Sequence, residues 1–303
     1  MNASQGTSNM TAEKAWDVVS LLKTSADFFK QKGIDDARLN VELLLSHVLK
    51  MRRFDLYLNF EQPITPSELQ TFRDLCKRRM SGEPVQYILG EEEFFGLKFA
   101  VDKRVLIPRP ETEQLVEQII SDAPKLSDGE SLRLLDIGTG SGCIAVALAK
   151  CIEHATLVAV DVSPDALDVA KRNAQTNDVA HKIEFRELDV LSATFAAQFS
   201  ETFDVIVSNP PYIPEAEKAT LQPEVRDHEP HLALFSKTGF EFYEKISSDA
   251  RALLRDGGRL YFELHADGAE KTSEILTRNG FQDIQLLQDY SGMTRIAVAV
   301  KSA

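Results

Sequence analysis

The chain has 303 residues, is 43% hydrophobic and carries a formal net charge of −13. That length is comfortable for two domains and the composition supplies an ample core, while the acidic balance argues against a protein built to grip nucleic-acid phosphates. No apolar run approaches the roughly 18 residues of a membrane-crossing helix, no secretory signal is read at the N-terminus, and three cysteines (Cys76, Cys143, Cys151) without CxxC spacing predict a reducing, cytoplasmic setting and no disulfide framework.

Residues 1–10, "MNASQGTSNM", read as a short disordered tail. Residues 11–88 read as a small helical bundle. Trp16, Val19, Leu22, Ala26 and Phe29 recur every three or four positions, and Gly33 closes that helix. Val41, Leu44, Leu45 and Val48 form a second stripe, and Thr65–Pro66 with Glu68 start another helix through an N-cap and a proline at the first helical position. The basic run "CKRRM" at 76–80 reads as a solvated helix face. Residues 89–108 read as a linker, with a β-hairpin or extended segment over 94–107 in which Phe95, Leu97 and Phe99 alternate, ended by Pro108 and Pro110.

Over 109–303 strands and helices alternate. "LRLLDIG", "TLVAVDV", "KIEFRELDV", "FDVIVSNPPY" and "RLYFELH" are strands, separated by helices such as "CIAVALAKCIE" and "PDALDVAKRNAQTN". A helix in "GFEFYEKISSDARALLR" is expected to end at Gly257 and Gly258, and "FQDIQLLQDYSGMTRIAVAVKS" reads as a closing antiparallel hairpin. This alternation predicts an α/β fold with a mostly parallel, doubly wound sheet that binds ligands beyond its C-terminal strand ends.

The first of these strands runs into "DIGTGSG". Gly138, Gly140 and Gly142 at a strand-to-helix turn let a ligand approach the backbone. The motif class is open, because Gly140, Gly142 and Ala145 also satisfy a dinucleotide fingerprint. Asp136 before the glycines suits the ammonium of S-adenosylmethionine. Asp161 can hydrogen-bond ribose hydroxyls of either cofactor. Asp189 can accept from an adenine amino group while Val190 donates its backbone N–H. Three aspartates at successive strand ends around one glycine loop are hard to explain as helix caps alone.

The fourth strand stops at "NPPY". The Asn209 carbonyl oxygen and the Pro210 carbonyl are two acceptors, the latter held by the rigid Pro210–Pro211 pair, and Tyr212 adds a flat face. Two convergent acceptors suit a planar NH2. Methylating such a nitrogen places partial positive charge on it, which acceptors stabilise most strongly in the transition state.

The sequence resembles the protein-glutamine N-methyltransferases that modify class-1 peptide release factors. The residues that carry the resemblance are "ARLNVELLLSHVL", "GEPVQYILG", "VLIPRPETE", "DIGTGSG", Asp161, "NPPYI" and "EPHLAL". It implies a Rossmann-like class I methyltransferase domain with a mostly parallel seven-stranded sheet, a helical N-terminal domain, and S-adenosylmethionine as cofactor; because the helical part carries no catalytic motif, it is expected to dock the protein substrate. It further implies a cofactor site at Gly138, Thr139, Gly140, Ser141, Gly142, Asp161, Asp189, Val190 and Asn209. Asn209, Pro210, Pro211 and Tyr212 would hold the glutamine amide of a Gly-Gly-Gln loop, with Asn209, Pro210 and Tyr212 catalytic. Two departures stand out: "FSKTG" at 235–239 replaces a more glycine-rich loop, and His265 stands where the family usually has glycine. The competing readings are a nucleic-acid amine methyltransferase, which shares "NPPY", a glutamine methyltransferase acting on a ribosomal protein, and a nicotinamide oxidoreductase, which leaves "NPPY" without a use. His228 and His231 form an H-x-x-H pair better read as loop histidines than as a metal site, so no metal is expected. A monomer with no membrane attachment and no stable nucleic-acid binding completes the expectation.

Overall fold

The computed structural model describes residues 15–127, 131–265 and 267–302, so the tail expected at 1–10 lies outside them. The chain divides into two compact units, Met1–Leu89 and Gly90–Ala303.

The first unit is helical: α1 (Val18–Gln31), α2 (Ala37–Leu49), α3 (Arg53–Leu58), α4 (Pro66–Met80) and α5 (Val85–Leu89). The Thr65 cap forms as its sequence predicts. Glu68 N–H donates to Thr65 Oγ1 at 3.3 Å, and Thr65 N–H donates to Glu68 Oε2 at 2.8 Å. The apolar face of α1 differs from the expected stripe: Val18, Leu21, Leu22 and Phe29 are buried, while Val19 is 47% exposed. Leu22 and Phe29 are buried as expected, and Trp16 and Ala26 pack against the same core, so only Val19 leaves the stripe; the helix begins at Val18, after an Asp17 cap, and Trp16 precedes it. The basic run is not a uniformly solvated face either. Arg79 is buried and donates to Asn40 Oδ1 at 2.7 Å, which pins α4 to α2.

The second unit opens with a hairpin of β1 (Glu91–Phe94) and β2 (Leu97–Ala100). Phe95 and Gly96 both take positive φ, 55° and 70°, which makes a two-residue reversal possible. Glu91 therefore pairs with Ala100 and Phe94 with Leu97. The hairpin lies at 91–100 rather than across 94–107, because the reversal falls in the middle of the alternating Phe95–Leu97–Phe99 pattern. The outer edge of β2 is met by one asparagine within a later helix and another just past its end. Asn173 Oδ1 accepts from Ala100 N at 2.7 Å, Asn173 Nδ2 donates to Ala100 O at 3.0 Å, and Asn177 Nδ2 donates to Lys98 O at 3.0 Å.

The remaining elements are α6 (Pro110–Leu126), β3 (Leu132–Ile137), α7 (Cys143–Cys151), β4 (Ala155–Asp161), α8 (Pro164–Thr176), β5 (Ile183–Glu187), β6 (Phe203–Ser208), β7 (Ile213–Pro214), α9 (Pro223–His228), α10 (His231–Leu234), β8 (Phe235–Ser236), α11 (Glu241–Leu253), β9 (Leu254–Glu263), α12 (Ala269–Arg278), β10 (Phe281–Gln288) and β11 (Thr294–Lys301). The seven-stranded sheet has the order β10-β11-β9-β6-β3-β4-β5. Strands β3, β4, β5, β6 and β9 pair in parallel, and the β10–β11 hairpin closes the edge antiparallel, as the sequence pattern predicts. The chain steps outward from β3 to β4 and β5, then returns to β6 on the other side of β3. That reversal opens a crevice at the C-terminal ends of β3 and β6.

One boundary differs from expectation. Helix α11 stops at Leu253, short of Gly257, and β9 starts at once. Phe203 pairs with Leu254 but Val205 pairs with Arg259, so the residues between bulge out of the ladder. Leu254 is fully buried and belongs to the sheet core with Phe203, Phe262 and Tyr243.

Candidate active site

The glycine loop leaves β3 and is laid over the end of β4. Gly138 N and Thr139 N both donate to Val160 O, at 2.9 and 3.0 Å. Asp161, the last residue of β4, accepts from Gly140 N at 2.8 Å and from Ser163 N at 2.9 Å. Burial raises the Asp161 carboxyl above its ordinary range, against the pull of these backbone donors. Two of the glycines are required for different reasons. Gly142 (φ +80°) lies so close to α8 that an added Cβ would stand 3.0 Å from Ala170 Cβ, whereas an added Cβ at Gly138 (φ +77°) would meet nothing within 4 Å.

Beneath the loop, Asp136 is fully buried. Thr139 Oγ1 donates to its Oδ2 at 2.7 Å, and its Oδ1 has no partner among the described residues. Burial pushes this carboxyl up to about 7, with the nearby Asp161 charge adding to the effect. Asp189 is exposed and lies two residues beyond β5, which ends at Glu187 rather than at the aspartate. Leu188 N donates to Asp161 O at 3.0 Å, which brings the turn at 189–190 alongside the Asp161 strand end. Asp189 caps its own turn by accepting from Leu191 N at 2.8 Å, and the Val190 side chain is buried.

Strand β6 ends at Ser208, whose buried hydroxyl donates to Ile137 O at 2.7 Å and locks the ends of β3 and β6 together. Asn209 therefore emerges directly beside the glycine loop. Its Nδ2 donates to Thr112 Oγ1 at 3.3 Å. Pro210 is buried, while Asn209, Pro211 and Tyr212 are half-buried. The Tyr212 hydroxyl donates to Glu263 Oε1 at 3.3 Å, and its ring meets His265 edge-on with centroids 5.7 Å apart. Burial raises the Tyr212 phenol further above its ordinary value. The fold thus gathers residues 138–142, Asp161, the 189–190 turn and the 209–212 segment at one end of the sheet.

Residues 20–90 match the family described as the PrmC N-terminal domain, and residues 112–226 match the Methyltransferase small domain family. The release factor glutamine methyltransferase of Chlorobaculum tepidum is 54% identical over 94% of this chain and 98% of its own length. The chain belongs to the release factor glutamine methyltransferase family. Family members from Geobacter sulfurreducens and Rhodopirellula baltica are 43% and 39% identical, each over 93% of this chain and 95% of their own length. The crystal structure of the hMettl16 catalytic domain shares the fold, with a TM-score of 0.54 at 18% identity over 80% of this chain and 84% of that one. Among the described residues no helix is long and apolar enough to cross a membrane.

Four residues of this family member's site carry no role in the sequence reading. Glu263, at the end of β9, is buried; it accepts from Thr112 Oγ1 at 2.6 Å through Oε2 and from Tyr212 through Oε1. Burial pushes its carboxyl up to about 7, countered by the Thr112 hydrogen bond. Glu229 is also buried; Arg109 Nη2 reaches its Oε1 at 2.6 Å and Ile107 N reaches its Oε2 at 3.2 Å. These contacts join "IPRPE" to "EPHLAL", two stretches of the resemblance. The available signal was a carboxylate inside an otherwise apolar strand, "LYFEL". His231 is engaged elsewhere: its Nε2 lies 2.9 Å from Arg226 O and its ring packs edge-on against Phe235. Among the described residues no group of three or more His, Cys, Asp or Glu side chains is arranged to hold a metal.

Proposed function

We propose that this chain transfers a methyl group from S-adenosylmethionine to the side-chain amide nitrogen of the glutamine in the Gly-Gly-Gln loop of class-1 peptide chain release factors. The observation that carries this reading is the Asn209 amide. One hydrogen of its NH2 goes to Thr112, which turns Oδ1 the other way as an acceptor beside the glycine loop.

The residues present fit the cofactor. Gly138 leaves open space where the backbone can be approached, Asp136 Oδ1 is an acceptor without a partner, and Asp161 retains lone pairs beyond those taken by Gly140 and Ser163. Residues 138–142 would line the cofactor, Asp161 would take its ribose hydroxyls, and the Asp189–Val190 turn its adenine edge. When bound, the cofactor supplies an electrophilic methyl group on a sulfonium.

The protein's own part is to hold the nucleophile. An amide nitrogen is a poor nucleophile because its lone pair is conjugated with the carbonyl. Asn209 Oδ1 and the Pro210 carbonyl accept from the substrate NH2 and stabilise the positive charge that grows there as conjugation is lost; one N–H, made acidic by that charge, then gives its proton to water. Pro211 restrains the direction of the Pro210 carbonyl, and the Tyr212 ring supplies a face for the planar amide. Positioning of this kind is worth roughly 7–11 kcal/mol of the barrier. Residues 11–88 serve as the docking module, 89–108 as the connector with its hairpin, and 109–303 as the catalytic domain. The enzyme acts as a monomer in the cytoplasm and forms no lasting complex with nucleic acid.

The test is transfer of a labelled methyl group to purified release factor, with the modified residue mapped by mass spectrometry. Label on the Gly-Gly-Gln glutamine is the expected result. No transfer, or label only on a ribosomal protein or on nucleic acid, would overturn the proposal.

A further inference from the structure

We infer that Thr112 and Glu263 are positioning residues that fix which way the Asn209 amide faces and, through the second Glu263 oxygen, hold the Tyr212 ring. The inference rests on the reading of Asn209 as the acceptor for the substrate amide.

The network joins parts of the chain that are far apart. Thr112 sits in the first turn of α6, 97 residues before Asn209 and 151 before Glu263. Thr112 and Glu263 are only 2% and 3% exposed, so bulk water does not replace these contacts. The backbone carbonyl of Glu263 is itself fixed by the Tyr243 hydroxyl at 2.8 Å.

The direction of each hydrogen bond follows from chemistry. Above about pH 7 Glu263 is ionised; its carboxylate then accepts and cannot donate, whereas a hydroxyl has one proton to give. The short 2.6 Å contact commits the Thr112 proton to Glu263 Oε2. Thr112 Oγ1 is then left only as an acceptor, so the Asn209 group facing it must be the NH2. The amide is planar, and Oδ1 consequently points away from Thr112. The flipped amide would set Oδ1 against Oγ1 with no proton between them and leave a buried polar group unpaired, at a cost of about 1–3 kcal/mol. Glu263 Oε1 takes the Tyr212 hydroxyl at 3.3 Å. One carboxylate therefore orders both polar members of the "NPPY" segment.

A satisfied core carboxylate with no bearing on the reaction predicts different behaviour from a positioning residue, and isosteric variants separate the two. Thr112→Val keeps the side-chain shape without the hydroxyl, and Thr112→Ser keeps the hydroxyl. Glu263→Gln keeps the shape but can present an NH2 toward Thr112, which releases the hydroxyl proton toward Asn209. Single-turnover methyl transfer to release factor and calorimetric affinity for S-adenosylhomocysteine would be measured on the full chain, well above the pH at which Glu263 takes up its proton. Thr112→Val and Glu263→Gln are expected to slow transfer about 10- to 100-fold with cofactor affinity within twofold of wild type. Thr112→Ser should stay within threefold on both. Wild-type transfer rates in Thr112→Val and Glu263→Gln, or equal damage in Thr112→Val and Thr112→Ser, would overturn the inference. Failure of the wild-type chain to methylate release factor would instead overturn the proposed function.

Discussion

Two glycines of the same loop should fail in opposite ways when given a methyl group. Both hold a left-handed φ that costs a side-chain-bearing residue about 1–2 kcal/mol. At Gly142 the new Cβ would also stand 3.0 Å from Ala170 Cβ and 3.2 Å from Ala170 Cα, against backbone that cannot swing aside. Overpacking of that kind adds about 1–3 kcal/mol, so Gly142→Ala should lose about 2–5 kcal/mol. For a domain of this size each kcal/mol is worth about 2–4 °C, and a fall of roughly 5–15 °C in Tm follows. At Gly138 the same methyl meets nothing within 4 Å. Gly138→Ala should lose only the backbone term of about 1–2 kcal/mol, yet fill the space a ligand needs and weaken S-adenosylhomocysteine binding at least tenfold. Thermal melting and calorimetry on both variants give the test. Undiminished affinity in Gly138→Ala would refute the assignment of that space to the cofactor, and an unshifted Tm in Gly142→Ala would refute the packing argument.

Asp161→Ala removes the acceptor for Gly140 N, Ser163 N and the proposed ribose contact; cofactor affinity should fall at least tenfold, and an unchanged calorimetric Kd would count against it. Asn209→Ala should lower single-turnover transfer by about 10²–10³, while Tyr212→Phe, which loses the Glu263 contact but keeps the ring, should cost less than Tyr212→Ala, which loses both. A wild-type rate for Asn209→Ala, or equal damage in the two Tyr212 variants, would contradict the roles proposed for them. Asp136 and Glu263 are both pushed up to about 7, from ordinary values of 3.8 and 4.5. The folded chain therefore holds more protons than the unfolded one, and the stability these groups contribute is complete below about pH 4 and lost as pH rises through about 7. Glu263 faces Thr112 and the Glu111 charge from α6, Tyr212 from the "NPPY" segment and Arg295 from β11. Glu263→Gln removes its titration, on the order of 3 kcal/mol, so denaturation midpoints should fall less steeply between pH 5 and 8 than in wild type. Identical slopes would show that Glu263 does not titrate there.

The parts of this fold that repeat locally were readable in the residues. The alternation of apolar strands with capped helices predicts the sheet, and "DIGTGSG", Asp161 and "NPPY" mark its ligand-binding end because each is a break in a regular element. What the chain order hides are contacts between distant positions. Thr112 meets Glu263 across 151 residues, and Glu229 meets Arg109 across 120. No periodicity encodes such pairs, and a buried carboxylate looks in sequence like any other charge. The hairpin differs from its expected place for a local reason: a two-residue reversal at Phe95–Gly96 sits inside an unbroken alternation, and the positive φ of both residues shows where the chain turns. A run of charged neighbours predicts a solvent-facing Arg79, yet it is the residue of that run that finds Asn40.

The asparagines along β2 have a consequence for how this protein behaves in a crowded solution. A two-stranded ribbon is weak alone, and its outer edge offers a row of unused backbone donors and acceptors to any passing strand. The Asn173 amide presents to Ala100 the same acceptor and donor that a neighbouring strand would present, and Asn177 occupies Lys98 O in the same row. The sheet edge is thus finished by side chains instead of by another strand. A second copy of the chain cannot add itself to the ribbon at these positions without first displacing both amides, so two asparagines guard against edge-to-edge aggregation.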